Sequence, residues 1–151
     1  MKPMEQLERL AADLQCESRR QEPMQLHTSF KIGGPAELFV TVTNRRALCA
    51  LIQAAQEQEV PWRVIGKGSN LLVEDAGIRG LVLQLDGEFA QIQLVGETQI
   101  ECGAAVSLAS VCSFAQKRGL SGLEFAWGIP GSAGGAATVA ARASSASTRC
   151  S

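Results

Sequence analysis

Apolar residues recur at helical spacing in three places along the chain and at strand spacing over much of the remainder. Leu7, Leu10, Ala11 and Leu14 stand at i, i+3, i+4 and i+7, which predicts an amphipathic helix over residues 4–15. Residues 17–25 carry charge without a period and read as an irregular connector. Gly33-Gly34-Pro35 then makes a turn that feeds a strand over 37–43, with Leu38, Val40 and Val42 on one face. Asn44 is a suitable N-cap for a helix over 45–58, where Leu48, Leu51, Ile52 and Ala55 repeat the helical spacing. After Pro61, residues 62–65 form the next strand. Strand, helix and strand with short joins make a βαβ unit, so these two strands are expected to be parallel with a right-handed crossover.

Beyond Gly77 the pattern changes. Residues 80–85, 90–95 and 98–102 read as period-two strands separated by Asp86-Gly87 and Gly96-Glu97, which predicts an antiparallel meander. A third helix follows over 107–118, with Leu108, Val111, Cys112 and Ala115 on one face, Ser107 as N-cap and Gly119 as the C′ residue. Residues 122–136 are rich in Gly and Pro yet carry Leu123, Phe125, Trp127 and Ile129. That mixture predicts a packed loop whose backbone passes close to something flat or bulky, or else a tight structural corner. Pro130 fits as the N1 residue of a short helix starting Gly-Ser-Ala. From Ala137 the chain has no hydrophobic period, and a disordered tail is expected. The fold class expected is α/β (α+β).

Composition narrows the chemistry. Of the 151 residues, 46% are hydrophobic and 19% charged, a globular balance. The formal net charge of −1 gives no footprint for nucleic acid or an anionic membrane, and no apolar run approaches a bilayer span. Five cysteines without C-x-x-C spacing argue against a zinc site or a disulfide framework and fit a reducing cytoplasm. Cys49, Cys102 and Cys112 are expected to act as small core hydrophobes. His27 is the only histidine, which argues against a His-centred triad or metal cluster. No metal site is expected, and the sequence points to no particular protein partner.

The candidate chemistry lies between the strand at 62–65 and the apolar run that follows it. Gly66-Lys67-Gly68-Ser69-Asn70-Leu71 pairs two glycines with two side-chain donors and one positive charge. Successive N–H groups in such a turn can converge on an anion, and a diphosphate suits the set best. A hairpin turn with a polar tip is the alternative. The loop is neither a Walker A sequence, since Pro61 takes the place of its first glycine, nor a Rossmann fingerprint, since strand-like Leu72-Val73 follows where a helix is needed. Its place at the carboxyl end of a parallel strand favours the anion site.

Three segments together, Thr28 to Ala36, Gly66 to Val73, and Gly122 to Ala136, resemble the UDP-N-acetylenolpyruvoylglucosamine reductase family in order and spacing. The resemblance covers residues 26–136, leaving 1–25 as an N-terminal helix and connector and 137–151 as an unmatched tail. It implies an FAD-binding domain of the p-cresol methylhydroxylase type, two small α/β lobes with non-covalent FAD between them. By position, Gly66, Lys67, Gly68, Ser69, Asn70 and Leu71 carry over as FAD contacts. So do Gly128, Ile129, Pro130, Gly131, Ser132, Gly134 and Gly135. His27 lies outside both loops, which argues against a covalent flavin.

In that family NADPH reduces FAD, and the hydride passes to the enolpyruvyl group of a UDP-sugar, giving UDP-N-acetylmuramate for peptidoglycan. The family's arginine, serine and glutamate lie beyond the matched region, so no residue here receives a catalytic role. The expectation is an FAD portion of such a reductase without its substrate domain, ended by truncation, frame change or a fragmentary gene model, and inactive alone. The competing readings are another flavoprotein of the same fold and a non-catalytic nucleotide-binding module.

Overall fold

The computed structural model describes residues 1–66 and 71–137. Helix α1 (Pro3–Asp13) and helix α2 (Arg45–Glu57) lie on one face of a four-stranded sheet built from β1 (Glu17–Pro23), β2 (Pro35–Val42), β3 (Trp62–Ile65) and β4 (Ile78–Leu85). The strand order is β1-β2-β4-β3. Alternation along β2 divides the sheet into two cores. Leu38, Val40 and Val42 face the helices and pack with Leu7, Ala11, Leu51, Leu81 and Leu83. Phe39 and Val82 face the other way, into a smaller cluster with Met24, Ala36, Ile65 and Val73.

Three sequence expectations change here. The charged stretch at 17–25 is not a connector: β1 runs antiparallel to β2 from Glu17↔Thr41 to Pro23↔Pro35. An edge strand is held by backbone hydrogen bonds; β1 keeps Glu17, Arg19 and Arg20 in solvent and buries only Glu22, so it shows no apolar period. The expected βαβ strands are parallel, but β4 lies between them and is parallel to both. β4 therefore does not belong to an antiparallel meander. Leu81, Val82 and Leu83 are consecutive and all fully buried, as in a strand covered on both faces. Lastly, Cys49 is exposed. The buried face of α2 carries Ala47, Leu51 and Ala55, and two residues at ~100° each turn Cys49 away from it.

The other two predicted strands pair as expected. β5 (Ile92–Val95) and β6 (Gln99–Cys102) form a separate antiparallel hairpin. Helix α3 (Leu108–Lys117) begins at Ser107, whose side chain accepts from the Ser110 N–H, and ends before Gly119. α3 contacts β6 and the short turn Glu124–Ala126, completing a second small unit beside the sheet.

Candidate functional site

β3 ends at Ile65, and Gly66 leaves the sheet at its carboxyl end. Lys67, Gly68, Ser69 and Asn70, four of the expected cofactor contacts, lie outside the described residues. The chain returns at Leu71, which packs against the Phe39 cluster, and Val73, which is buried within it. Residues 71–74 form no strand, and Leu72 is exposed. Both stems of the loop are thus anchored in one small core.

The second expected segment is tied to the start of α3. Leu108 N–H donates to the Gly131 carbonyl at 3.0 Å, Ala133 N–H to Val106 at 2.8 Å and Gly134 N–H to Ala104 at 3.0 Å. Ser107 and Ser132 form a β-bridge. The chain is helical at 133–137, and Ser132 Oγ accepts from the Gly135 N–H at 3.3 Å. Ser132 is therefore the N-cap of that helix, and Pro130 stands two residues before it rather than at N1. Ser132 makes the better start because its hydroxyl accepts from an orphan N–H, whereas with Pro130 at N1 the cap would fall on Ile129, which offers no side-chain acceptor.

Gly66 meets this second segment directly. A Cβ placed on Gly66 would lie 2.6 Å from Ser132 Oγ, so any larger residue would force the hydroxyl or the loop to shift. The two segments are more than 60 residues apart in the chain, and the fold sets them in contact. Upstream, Gly128 takes a φ of +84° and has nothing within 4 Å of the position a Cβ would occupy. The backbone there faces open space, flanked by the exposed side chains of Trp127 and Ile129.

A third segment braces the loop, and the sequence reading gave it no site role. Gly33 packs on Val73, and Gly34 N–H donates to the Glu74 carbonyl at 2.9 Å. The Gly-Gly-Pro turn is the available signal: it reads as the entry to a strand and belongs to one of the three segments of the resemblance, but neither reading assigns it cofactor contacts. Phe30 and Ile32 of this segment are exposed, as are Leu72, Phe125, Trp127 and Ile129 of the other two.

A glycine contact that excludes a side chain, backbone open to a flat face, and exposed apolar side chains on all three segments fit a large, partly aromatic, diphosphate-bearing ligand such as FAD. A separate cleft of about 410 Å³ is lined by Cys112, Ala115, Gln116, Leu120, Leu123, Glu124 and Trp127, and it includes none of the expected contacts. Among the described residues no group of His, Cys, Asp and Glu could hold a metal ion, and no helix is long and apolar enough to cross a membrane.

Comparison with known proteins gives a consistent set. The FAD binding domain family model matches residues 36–149; the part of that match beyond 137 lies outside the described residues. The chain is 49% identical over 116 residues to UDP-N-acetylenolpyruvoylglucosamine reductase 2 of Symbiobacterium thermophilum, covering 77% of this chain and 37% of the relative. It is 46% identical over 115 residues to the UDP-N-acetylenolpyruvoylglucosamine reductase of Bacillus subtilis, covering 76% and 38%. The crystal structure of the Thermus caldophilus UDP-N-acetylenolpyruvylglucosamine reductase superposes with a TM-score of 0.62 at 36% identity, over 80% of this chain and 40% of that one. The chain spans about two fifths of the length of these relatives.

Proposed function

The chain belongs to the FAD binding domain family, and from that premise we propose that it is the cofactor-holding part of a UDP-N-acetylenolpyruvoylglucosamine reductase. The observation that carries this reading is the contact between Gly66 and Ser132, which sets the two expected FAD segments face to face. Residues 66–71 would hold the diphosphate through backbone N–H groups and the side chains of Lys67, Ser69 and Asn70. Residues 128–135 would lie along the cofactor from the second unit, with the open backbone at Gly128 and the side chain of Ile129 against its flat part. FAD, when bound, would accept a hydride from NADPH and deliver it to the enolpyruvyl group of the UDP-sugar.

What this chain contributes is binding and orientation. The domain is taken as residues 26–136. No residue within it is assigned the proton donor or the charge that stabilises an enolate, and such groups act only when positioned at the reacting atoms. Soluble substrates of this kind, a UDP-sugar and NADPH, place the proposed activity in the cytoplasm. The alternatives of a different flavoprotein or a non-catalytic module gain no specific observation.

The test is direct. The purified 151-residue chain is titrated with FAD and then assayed anaerobically for NADPH oxidation with and without the enolpyruvyl UDP-sugar. Saturable FAD binding without substrate-dependent oxidation is expected. A chain that binds no FAD removes the cofactor assignment. Formation of UDP-N-acetylmuramate would show that residues given no role here perform the chemistry.

A further inference from the structure

His27 plays no part in the site described above, yet its contacts lead to that site by two routes. It closes the turn Met24–Leu26, donating its N–H to the Met24 carbonyl at 2.9 Å. Its ring stacks on Phe39 with centroids 4.2 Å apart and an interplanar angle of 21°. Nε2 lies 2.9 Å from Glu22 Oε1, which also accepts from the Arg19 guanidinium at 3.1 Å. The Glu22 side chain is only 8% exposed. The His27 hydrogen bond, and after it Arg19, hold this carboxyl below the usual carboxylate range against the opposing push of burial. Glu22 is therefore ionised at neutral pH, and Nε2 must carry the proton in the bond between them.

The first route runs through Phe39. Its cluster contains Ile65, the residue before Gly66, and Val73, with Leu71 packed against it. These are the two stems of the expected diphosphate loop. The second route runs along the chain. Residues 28–34 leave His27, turn with Thr28 Oγ1 donating to the Ile32 carbonyl at 3.3 Å, and end on Gly33 and Gly34 against Val73 and Glu74. Holding the ring of His27 therefore fixes the floor beneath the loop and the brace beside it.

We propose that His27 is a positioning residue for the cofactor site: its Nε2–H bond to Glu22 and its stacking on Phe39 hold residues 28–34 against Val73 and Glu74, so that the stems at Ile65 and Leu71–Glu74 are set before the ligand arrives. Preorganisation of this kind raises affinity by removing an ordering cost from the binding step. The cofactor's identity rests on the reading above; the arrangement of the stems does not.

The experiment compares the full chain with His27→Phe, which keeps a flat ring but no donor, and His27→Gln, which restores a donor. Asn44→Ala serves as a control that weakens α2 on the opposite face of the sheet. Hydrogen exchange is measured without cofactor at the Gly34 and Gly77 amides, both of which donate to the Glu74 carbonyl. His27→Phe is expected to speed their exchange about tenfold, with His27→Gln, which restores the donor but not the ring, between His27→Phe and wild type and Asn44→Ala without effect. FAD affinity, measured in parallel, should fall about tenfold in His27→Phe and recover in part in His27→Gln. Unchanged exchange in His27→Phe overturns the proposal, as does equal acceleration by Asn44→Ala. Wild-type chain that binds no FAD but shows the expected exchange pattern would remove the cofactor reading and leave the positioning role standing.

Discussion

Replacing Gly66 by alanine tests the contact on which the candidate site depends. The added Cβ would sit 2.6 Å from Ser132 Oγ, and ordinary contact begins at 3.4 Å, so a gap of 0.8 Å (3.4 minus 2.6) must open. Ser132 is buried, and its Oγ already accepts from the Gly135 N–H. If the hydroxyl swings away, the helix at 133–137 loses its cap, at a cost of about 1 kcal/mol. If the loop moves instead, the two cofactor segments separate. Either way about 1–2 kcal/mol is expected, and FAD affinity should fall roughly five- to thirtyfold. Ser132→Ala removes only the hydroxyl, and the remaining Ser132 Cβ is 3.5 Å from the Cβ position of residue 66. The double variant should therefore bind FAD about as well as Ser132→Ala alone, because residues in contact are not additive. The assay is FAD titration by flavin fluorescence, with thermal melts to confirm folding. Wild-type affinity in Gly66→Ala would refute the argument, and so would a double variant whose loss equals the sum of the singles.

Other expectations follow from single contacts. Asn44→Ala removes the acceptor 2.8 Å from the Ala47 N–H and should lower stability by about 1 kcal/mol, a few degrees of melting temperature, while Asn44→Asp should hold it. Cys49 is exposed, whereas burial pushes the thiols of Cys16 and Cys102 up and Cys112 is buried, so of the four cysteines among the described residues a maleimide should modify Cys49 first; equal rates at these four by peptide mapping would contradict the placement. Glu22 is held below its unfolded range, so its contribution is present above that range and is lost as pH falls through the folded value. The stability gap between wild type and Glu22→Gln should be widest near neutrality and close below about pH 4 in denaturant melts; a pH-independent gap would sink this assignment.

The elements that were legible in the sequence are those whose period reports a single buried face. Leu7 and Ala11 lie beneath α1, Ala47, Leu51 and Ala55 beneath α2, and Val111, Cys112 and Ala115 beneath α3. Asn44 and Ser107 cap their helices because each offers an oxygen to an N–H that the helix cannot satisfy internally. β1 escaped notice because an edge strand needs no apolar face. β4 was misplaced for the opposite reason. Its Leu81-Val82-Leu83 run is apolar without a break, and such a run specifies burial on both faces but not which strands lie on either side. Strand order depends on pairing between distant segments, which no local period encodes.

The site divides along the same line. Gly66-x-Gly-Ser-Asn and Gly128-Ile-Pro-Gly were recognisable because each must do something unusual with its backbone. Less legible is that Gly66 and Ser132 meet, which joins the end of β3 to a segment of the second unit, or that Gly34 reaches Glu74, which depends on β2 and β4 lying side by side. That dependence has a consequence for function. The loop has one stem at the end of β3 and the other in the chain leading into β4, and β4 is central, paired on both sides and fully buried at Leu81, Val82 and Leu83. Both stems of the proposed diphosphate loop are thus mounted on a well-buried part of the sheet. Its counterpart at 128–135 is held chiefly by hydrogen bonds to the residues around the start of α3, in a unit whose sheet has only two strands. Two strands are marginal by themselves, so the second unit is the more yielding partner. Substitutions at Ser132 should therefore change FAD affinity, read by flavin fluorescence, more than those at Val82, which is buried in the sheet and should lower the melting temperature instead.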